Sequence, residues 1–240
     1  GLPWLNVAFW VFVAVAIHVF SDLFNTYGTQ ALRPFSKKWI SWNIIHIFDP
    51  VIFIVHSIGI LLWAFQAAEP QLIFSVVYSF LLLYYLWRTS VHYKLERNLH
   101  EKDPQYVKGD RYIVIPTVHL NHWNVVKQRK NGGYATGELR NGELTWVDTV
   151  EEISHPAIEA SMQSEDIQSL LSFSPYTGTE IKHHSWGYEV HWFDVRYRHR
   201  NKYPFVGVVL LDKELRIKSS YVGWKNQEKV EKKLSPDMQA

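Results

Sequence analysis

An unbroken apolar run, Val7 to Ile17, sets the terms for this chain, because a stretch that oily must find either a buried core or a bilayer. Two more apolar blocks follow, at about 44–65 and 72–87, and the first block extends to about 3–24. A bilayer-spanning helix needs about 20 mostly apolar residues, with a range of about 17–25. Blocks one and two meet that length and block three is marginal. The mean hydropathy of −0.15 and net charge of +2 look like a soluble protein, but they average two unlike halves. The expected fold class is an α-helical membrane part with three transmembrane helices, followed by an α+β, mainly antiparallel β cytoplasmic domain. The expected division is 1–88 for the transmembrane helices, 89–105 for a helical linker, 106–224 for the β domain and 225–240 for a charged tail.

Cations set the orientation, since Lys and Arg near the spans stay on the cytoplasmic side. Arg33, Lys37 and Lys38 lie between blocks one and two, and Arg88, Lys94, Arg97 and Lys102 follow block three. The short 66–71 connection, stopped by Pro70, carries none. Residues 24–43 and everything after 88 should therefore be cytoplasmic, making the chain multi-pass. Trp4, Trp39, Trp42, Trp63 and Trp87 sit near block ends, where an interfacial aromatic belt places them. The alternative is three core helices of a soluble protein. The start has no basic leader and no small-residue cleavage site, so it is not read as a signal peptide and the chain is expected to be part of a longer protein. With no cysteine there is neither a disulfide framework nor a thiol nucleophile.

From Tyr106 the pattern turns β-rich. Segments 111–118, 123–129, 134–140 and 143–150 are separated in part by Asn131-Gly-Gly133 and Asn141-Gly142, which predict a hairpin meander. Ser154 and Ser164 are read as caps of two short helices. Strands are expected again at about 180–184, 188–198, 205–211 and 215–222, with Asp212-Lys-Glu214 as the last hairpin turn.

The chemistry concentrates where block one ends. His18, Asp22 and Asn25 are spaced i, i+4, i+7 and share one helix face. Groups of this kind are rare in spanning segments unless they have a partner or a role. Block two opens with His46-Ile-Phe-Asp49-Pro50, at the same membrane level by the charge argument. Antiparallel packing would gather His18, Asp22, Asn25 and Asp49, with His46 nearby. Nitrogen and oxygen donors of this sort suit zinc first, with manganese or iron as alternatives. His46 alone is read as interfacial or core, and His56 as a contact between helices.

These residues also carry a resemblance. His18-x3-Asp22-x2-Asn25-x-Tyr27-Gly28-Thr29, Arg33-Pro-Phe-Ser36 and Phe48-Asp49-Pro50 resemble the membrane-bound metal-dependent hydrolases of the YfhP/YdjM type, also described as LexA-binding, inner-membrane-associated proteins. The likeness to the YfhP branch extends to Leu171-Ser-Phe-Ser-Pro175, Asp194-Val-Arg-Tyr-Arg198, Tyr203-Pro-Phe-Val206 and Tyr221-Val-Gly-Trp224. It implies a bacterial inner membrane location and a site at His18, Asp22 and Asn25 with Asp49 nearby; His18, Asp22 and Asp49 are then expected to hold the metal, and Asp22 and Asn25 to be the catalytic residues. The family has further Asp and His motifs upstream of the region matched here. On that resemblance the ligand set of this chain is expected to be incomplete and its binding of divalent metal weak.

The expected function is metal-dependent hydrolysis at the cytoplasmic membrane face, on a small-molecule or lipid substrate such as a lipid-linked ester or phosphoester, with membrane lipid as a partner. The rival is a non-enzymatic, membrane-anchored regulator whose β domain binds a protein partner; a transporter-like lipid binder would need a continuous polar path, for which only His56 offers itself. His183-His184 and His119/His122 are expected to face opposite sides of their strands and so not to chelate. Arg196 to Lys202 mixes basic and aromatic residues, but is read as a solvated strand end, with no nucleic acid partner expected.

Overall fold

The computed structural model describes residues 3–198 and 203–224. The expected tail at 225–240 lies outside them. The helices are α1 (Trp4–Asp22), α2 (Pro50–Ala64), α3 (Pro70–Asn98), α4 (Pro156–Ser161) and α5 (Glu165–Phe173). A 3-10 turn, Leu99–Lys102, extends α3. The strands are β1 (Arg111–Pro116), β2 (His122–Gln128), β3 (Tyr134–Arg140), β4 (Glu143–Val150), β5 (Thr177–His184), β6 (Gly187–Asp194), β7 (Phe205–Asp212) and β8 (Ile217–Trp224). The chain divides into two compact units, one of Gly1–Tyr106, Ile113–Asn124 and Glu138–Leu144, the other of Val107–Tyr112, Val125–Gly137 and Thr145–Ala240.

In the first unit, α1 and α3 are long and apolar enough to cross a membrane, and α2 is a shorter apolar helix. No residue of α1 is buried. Helix α2 starts at Pro50, not near residue 44. Pro50 fits a first helical turn, where no amide donor is needed, and Asp49 caps the end. Ile44 and Ile45 instead form a buried, non-helical strip. The helical linker expected after residue 88 continues α3 through Asn98, because Arg, Lys, Glu and Leu are good helix formers and no Gly or Pro interrupts them. Its buried face is Ile73, Val77, Leu81, Tyr84, Arg88 and His92, spaced three or four apart. The apolar half of that face packs on Ile52 and Val55 of α2.

Strands β1 to β4 form one sheet in sequence order, as a meander requires. Asn141 and Gly142, with φ of 49° and 88°, supply the two left-handed residues of a tight hairpin turn. In the second unit, β5 to β8 form an antiparallel sheet, also in sequence order. Ala157, Ile158, Ile167 and Leu170 of α4 and α5 pack on Val190, Trp192, Val209 and Leu211. Helix α4 is capped by His155, whose Nδ1 accepts from the Ala157 N–H at 3.1 Å, and not by Ser154. Ser164 does occupy the cap position of α5, but its hydroxyl makes no capping bond.

Candidate functional site

The last turn of α1 presents Asp22, and the chain then folds back on itself around Asn25. Asn25 Nδ2 donates to Asp22 Oδ1 at 3.1 Å. Its Oδ1 accepts from the Tyr27 and Gly28 N–H groups at 2.8 and 2.7 Å. Gly28 has φ +67°, and a Cβ there would meet the Ile40 carbonyl oxygen at 2.1 Å, so this turn needs glycine. Segment 42–45 returns along 23–25: Trp42 N–H donates to Leu23 O at 2.7 Å, and the Ile44 and Ile45 N–H groups donate to Phe24 O at 2.8 and 3.0 Å. Those bonds carry Asp49 back to the end of α1.

Asp49 is buried, and both of its oxygens have partners. Oδ1 accepts from the Val51 and Ile52 N–H groups at 2.9 and 3.2 Å, and Oδ2 accepts from the Tyr84 hydroxyl at 2.7 Å. Asp22, Asn25, His46, Asp49, His56 and Tyr85 line one open depression of about 360 Å³. His56 Nδ1 is 2.8 Å from the Ile52 carbonyl oxygen. An oxygen there can only accept, so Nδ1 carries a proton, and in the neutral ring Nε2 is the nitrogen left with a lone pair. His46 Nδ1 sits at 3.0–3.2 Å from both polar backbone atoms of Phe48.

The expected residues are therefore gathered only in part. His18 Nε2 is 3.6 Å from Asp22 Oδ2, but its side chain is 78% exposed and does not line the depression. His46 and His56, read from sequence as bystanders, do line it. Among the described residues, no three His, Cys, Asp or Glu side chains stand together as a metal-holding group.

Sequence reasoning also missed the polar continuation of the α3 face. Above Tyr84 comes Arg88, 1% exposed, whose Nη1 donates to Leu120 O at 3.0 Å and whose guanidinium lies 4.2 Å from the Trp123 ring centre. One turn further, buried His92 is 3.7 Å from Glu96. The spacing 84, 88, 92, 96 was there to be counted along the third apolar block and the helical linker expected after it.

The second unit holds polar clusters of its own. His191 Nε2 donates to Glu189 Oε1, Lys182 Nζ donates to the same oxygen at 3.1 Å, and His184 Nε2 is 3.0 Å from Oε2. The His191 bond first, and Lys182 after it, pull the Glu189 carboxyl down to about 2 against the opposing effect of burial. His183 points elsewhere, against the rings of His155 and Tyr188. In the first unit, His119 and His122 stack with ring centres 6.4 Å apart instead of facing opposite ways, because His119 lies in the turn before β2. Arg196 is not at a solvated strand end. It is 6% exposed and doubly bonded to Asp194, which also accepts from the Ser174 hydroxyl at 2.6 Å. Arg198 is 3.3 Å from Asp148, and positions 199–202 of that basic stretch lie outside the described residues.

Comparison with known proteins places this arrangement. A family model described as YdjM inner membrane protein matches residues 2–95, and one described as YfhP C-terminal alpha/beta plait domain matches 156–234. YfhP of Bacillus subtilis (strain 168) is 37% identical over 234 residues, which is 96% of this chain and 70% of that protein. The chain belongs to the YfhP family. No solved structure matches it. The YdjM match and the two long apolar helices together support an inner-membrane location. The plait match agrees with an antiparallel sheet on which α4 and α5 pack, so in this chain a helical part with two apolar candidate spans precedes an α/β domain.

Proposed function

We propose that this YfhP-family protein is a metal-dependent hydrolase working at the cytoplasmic face of the inner membrane. The observation that carries the reading is the depression shared by Asp22, Asn25, His46, Asp49 and His56 at the end of an apolar helix. Its carboxylates and imidazoles are the donor types a borderline divalent cation such as zinc takes, with manganese and iron as alternatives. A bound cation would supply Lewis-acid polarisation and acidify water. The chain's own part is to fix the donors: Asn25 holds Asp22, Tyr84 holds Asp49, and the Ile52 carbonyl sets the His56 tautomer. Hydrogen bonds of that kind orient ligands in metal sites. The proposal keeps Asp22 and Asp49 as ligands and Asn25 as an orienting group. It moves the imidazole role from His18 to His46 and His56. The substrate class is a lipid or lipid-linked ester or phosphoester, since the depression lies beside lipid-facing helices.

A second reading is favoured by Asp49, both of whose oxygens already have partners. In it the polar end of α1 is structural and the α/β domain binds a protein partner. Titrating zinc into the whole protein in detergent, by calorimetry, separates the two. Under the hydrolase reading the binding is measurable, even if weak, and both Asp22→Asn and His56→Ala lower it at least about tenfold. Zinc binding indifferent to both substitutions, with Asp22→Asn more stable than the parent because a desolvated charge has been removed, would sink the hydrolase reading.

A further inference from the structure

The connection between α1 and α2 has an unusual outer edge. From Leu23 to Phe48 it contains three cations, Arg33, Lys37 and Lys38, and no acidic residue. At its tip Phe35 is 97% exposed, more than any other large hydrophobic side chain among the described residues, with Leu32 at 50% beside it. An aromatic ring left wholly in water is costly, and here it is held there. Thr29 and Ile40 pair through two backbone bonds of 3.0 Å. Gln30 Nε2 donates to Lys37 O at 2.9 Å, Arg33 Nε donates to Gln30 Oε1 at 2.7 Å, and the Ser36 N–H donates to Leu32 O at 2.9 Å. Trp39 Nε1 donates to the Tyr27 carbonyl. The loop is thus tied by its own hydrogen bonds, and the two apolar side chains lie within a few residues of three positive ones.

We propose that this loop is a membrane-surface site that inserts Phe35 and Leu32 into a lipid leaflet and binds anionic phospholipid headgroups through Arg33, Lys37 and Lys38. Charge complementarity selects the partner. A basic segment with no acidic neighbour is attracted to the negative surface of an anionic leaflet, and its exposed apolar tip gains by entering the acyl boundary. The tethering hydrogen bonds mean that little loop entropy is lost on insertion. The site goes beyond the hydrolase reading and requires only that α1 be a membrane span.

The chain has no cysteine, so single reporters are clean. Phe35→Cys and, separately, Phe12→Cys on α1 are labelled with an environment-sensitive fluorophore in the whole protein. Each is reconstituted in nanodiscs of pure phosphatidylcholine and of phosphatidylcholine with phosphatidylglycerol. The probe at 35 should report an apolar setting, quenched by brominated lipid, in the anionic discs and much less in the neutral ones. Lys37→Gln with Lys38→Gln should lower its inserted-to-exposed ratio in anionic discs about 25-fold, at about fivefold per charge. A probe at 35 that stays water-like and iodide-quenched in both lipids, while the probe at 12 reports lipid, overturns the loop site alone. Equal insertion in both lipids overturns the anionic recognition. Water-like probes at both positions overturn the membrane span on which the proposal stands.

Discussion

At the scale of single residues, the molecule repeatedly gives one carboxylate several partners. Asp49 caps α2 with one oxygen and receives the Tyr84 hydroxyl on the other, which ties the start of α2 to the middle of α3. Glu189 does the same on β6 with His191, Lys182 and His184. Its carboxyl, held at about 2 against an ordinary value near 4.5, binds a proton less readily folded than unfolded. The stabilisation is therefore complete above about pH 4.5, where even the unfolded group is ionised, and is lost as pH falls towards 2. Lys182 is half exposed, so solvent screening reduces the effect to about 1–2 kcal/mol. Glu189→Gln should cost that much at pH 7 and flatten the fall in stability between pH 4.5 and 2. Denaturant midpoints of the whole protein across that range, followed by near-UV circular dichroism, provide the check, and an unchanged pH profile would count against the cluster.

Among the elements, the pairing of α2 with α3 depends on a small residue. A Cβ on Gly59 would lie 2.9 Å from Val77 Cγ2, so the helices approach where a side chain is missing, as small residues allow in membrane bundles. Gly59→Leu should force them apart and cost about 1–3 kcal/mol, and Val77→Ala added to it should recover part of the loss. Unfolding of the detergent-solubilised protein measures both, and a neutral Gly59→Leu would show that the helices do not meet there. This element also marks the limit of what sequence could say. Local signals were readable: the apolar run of α1 and the Asn141-Gly142 turn. The shared helix face expected for His18, Asp22 and Asn25 was not, because α1 ends at Asp22 and Asn25 reaches back to it from the turn beyond. Nor was what depended on distant partners. Block two reads as helix from residue 44 because Ile44 and Ile45 are apolar, but their backbone is held by Phe24 of another segment. Tyr84 became part of the site only through Asp49, 35 residues away in the chain.

For the molecule as a whole, helix lengths constrain how the chain can thread a bilayer. Helix α3 has 29 residues, about 44 Å at 1.5 Å each, against a hydrocarbon core of about 30 Å. Its apolar part to Trp87 can cross, while Arg88 to Asn98 continues beyond as a polar, partly buried rod. Helix α2 has only 15 residues, about 22 Å, below the usual spanning length. Yet α2 must bring the chain back if α1 and α3 both cross and both leave their basic ends on one side. The α2–α3 hairpin is in register for that, with Trp63 against Phe74 near its turn and Gly59 against Val77 further down. Local thinning or tilt can absorb a mismatch of this size. The expectation is three crossings, with the 65–70 turn outside and the α/β domain in the cytoplasm. Ala68→Cys should react with an impermeant thiol reagent in intact cells, and Lys213→Cys in the β7–β8 turn should react only after permeabilisation. Labelling of Lys213→Cys from outside would invert the orientation drawn from the cations. Protection of Ala68→Cys in intact cells, with Lys213→Cys also protected, would mean that α2 and α3 turn back within the membrane and that its short arm stops short of the far surface.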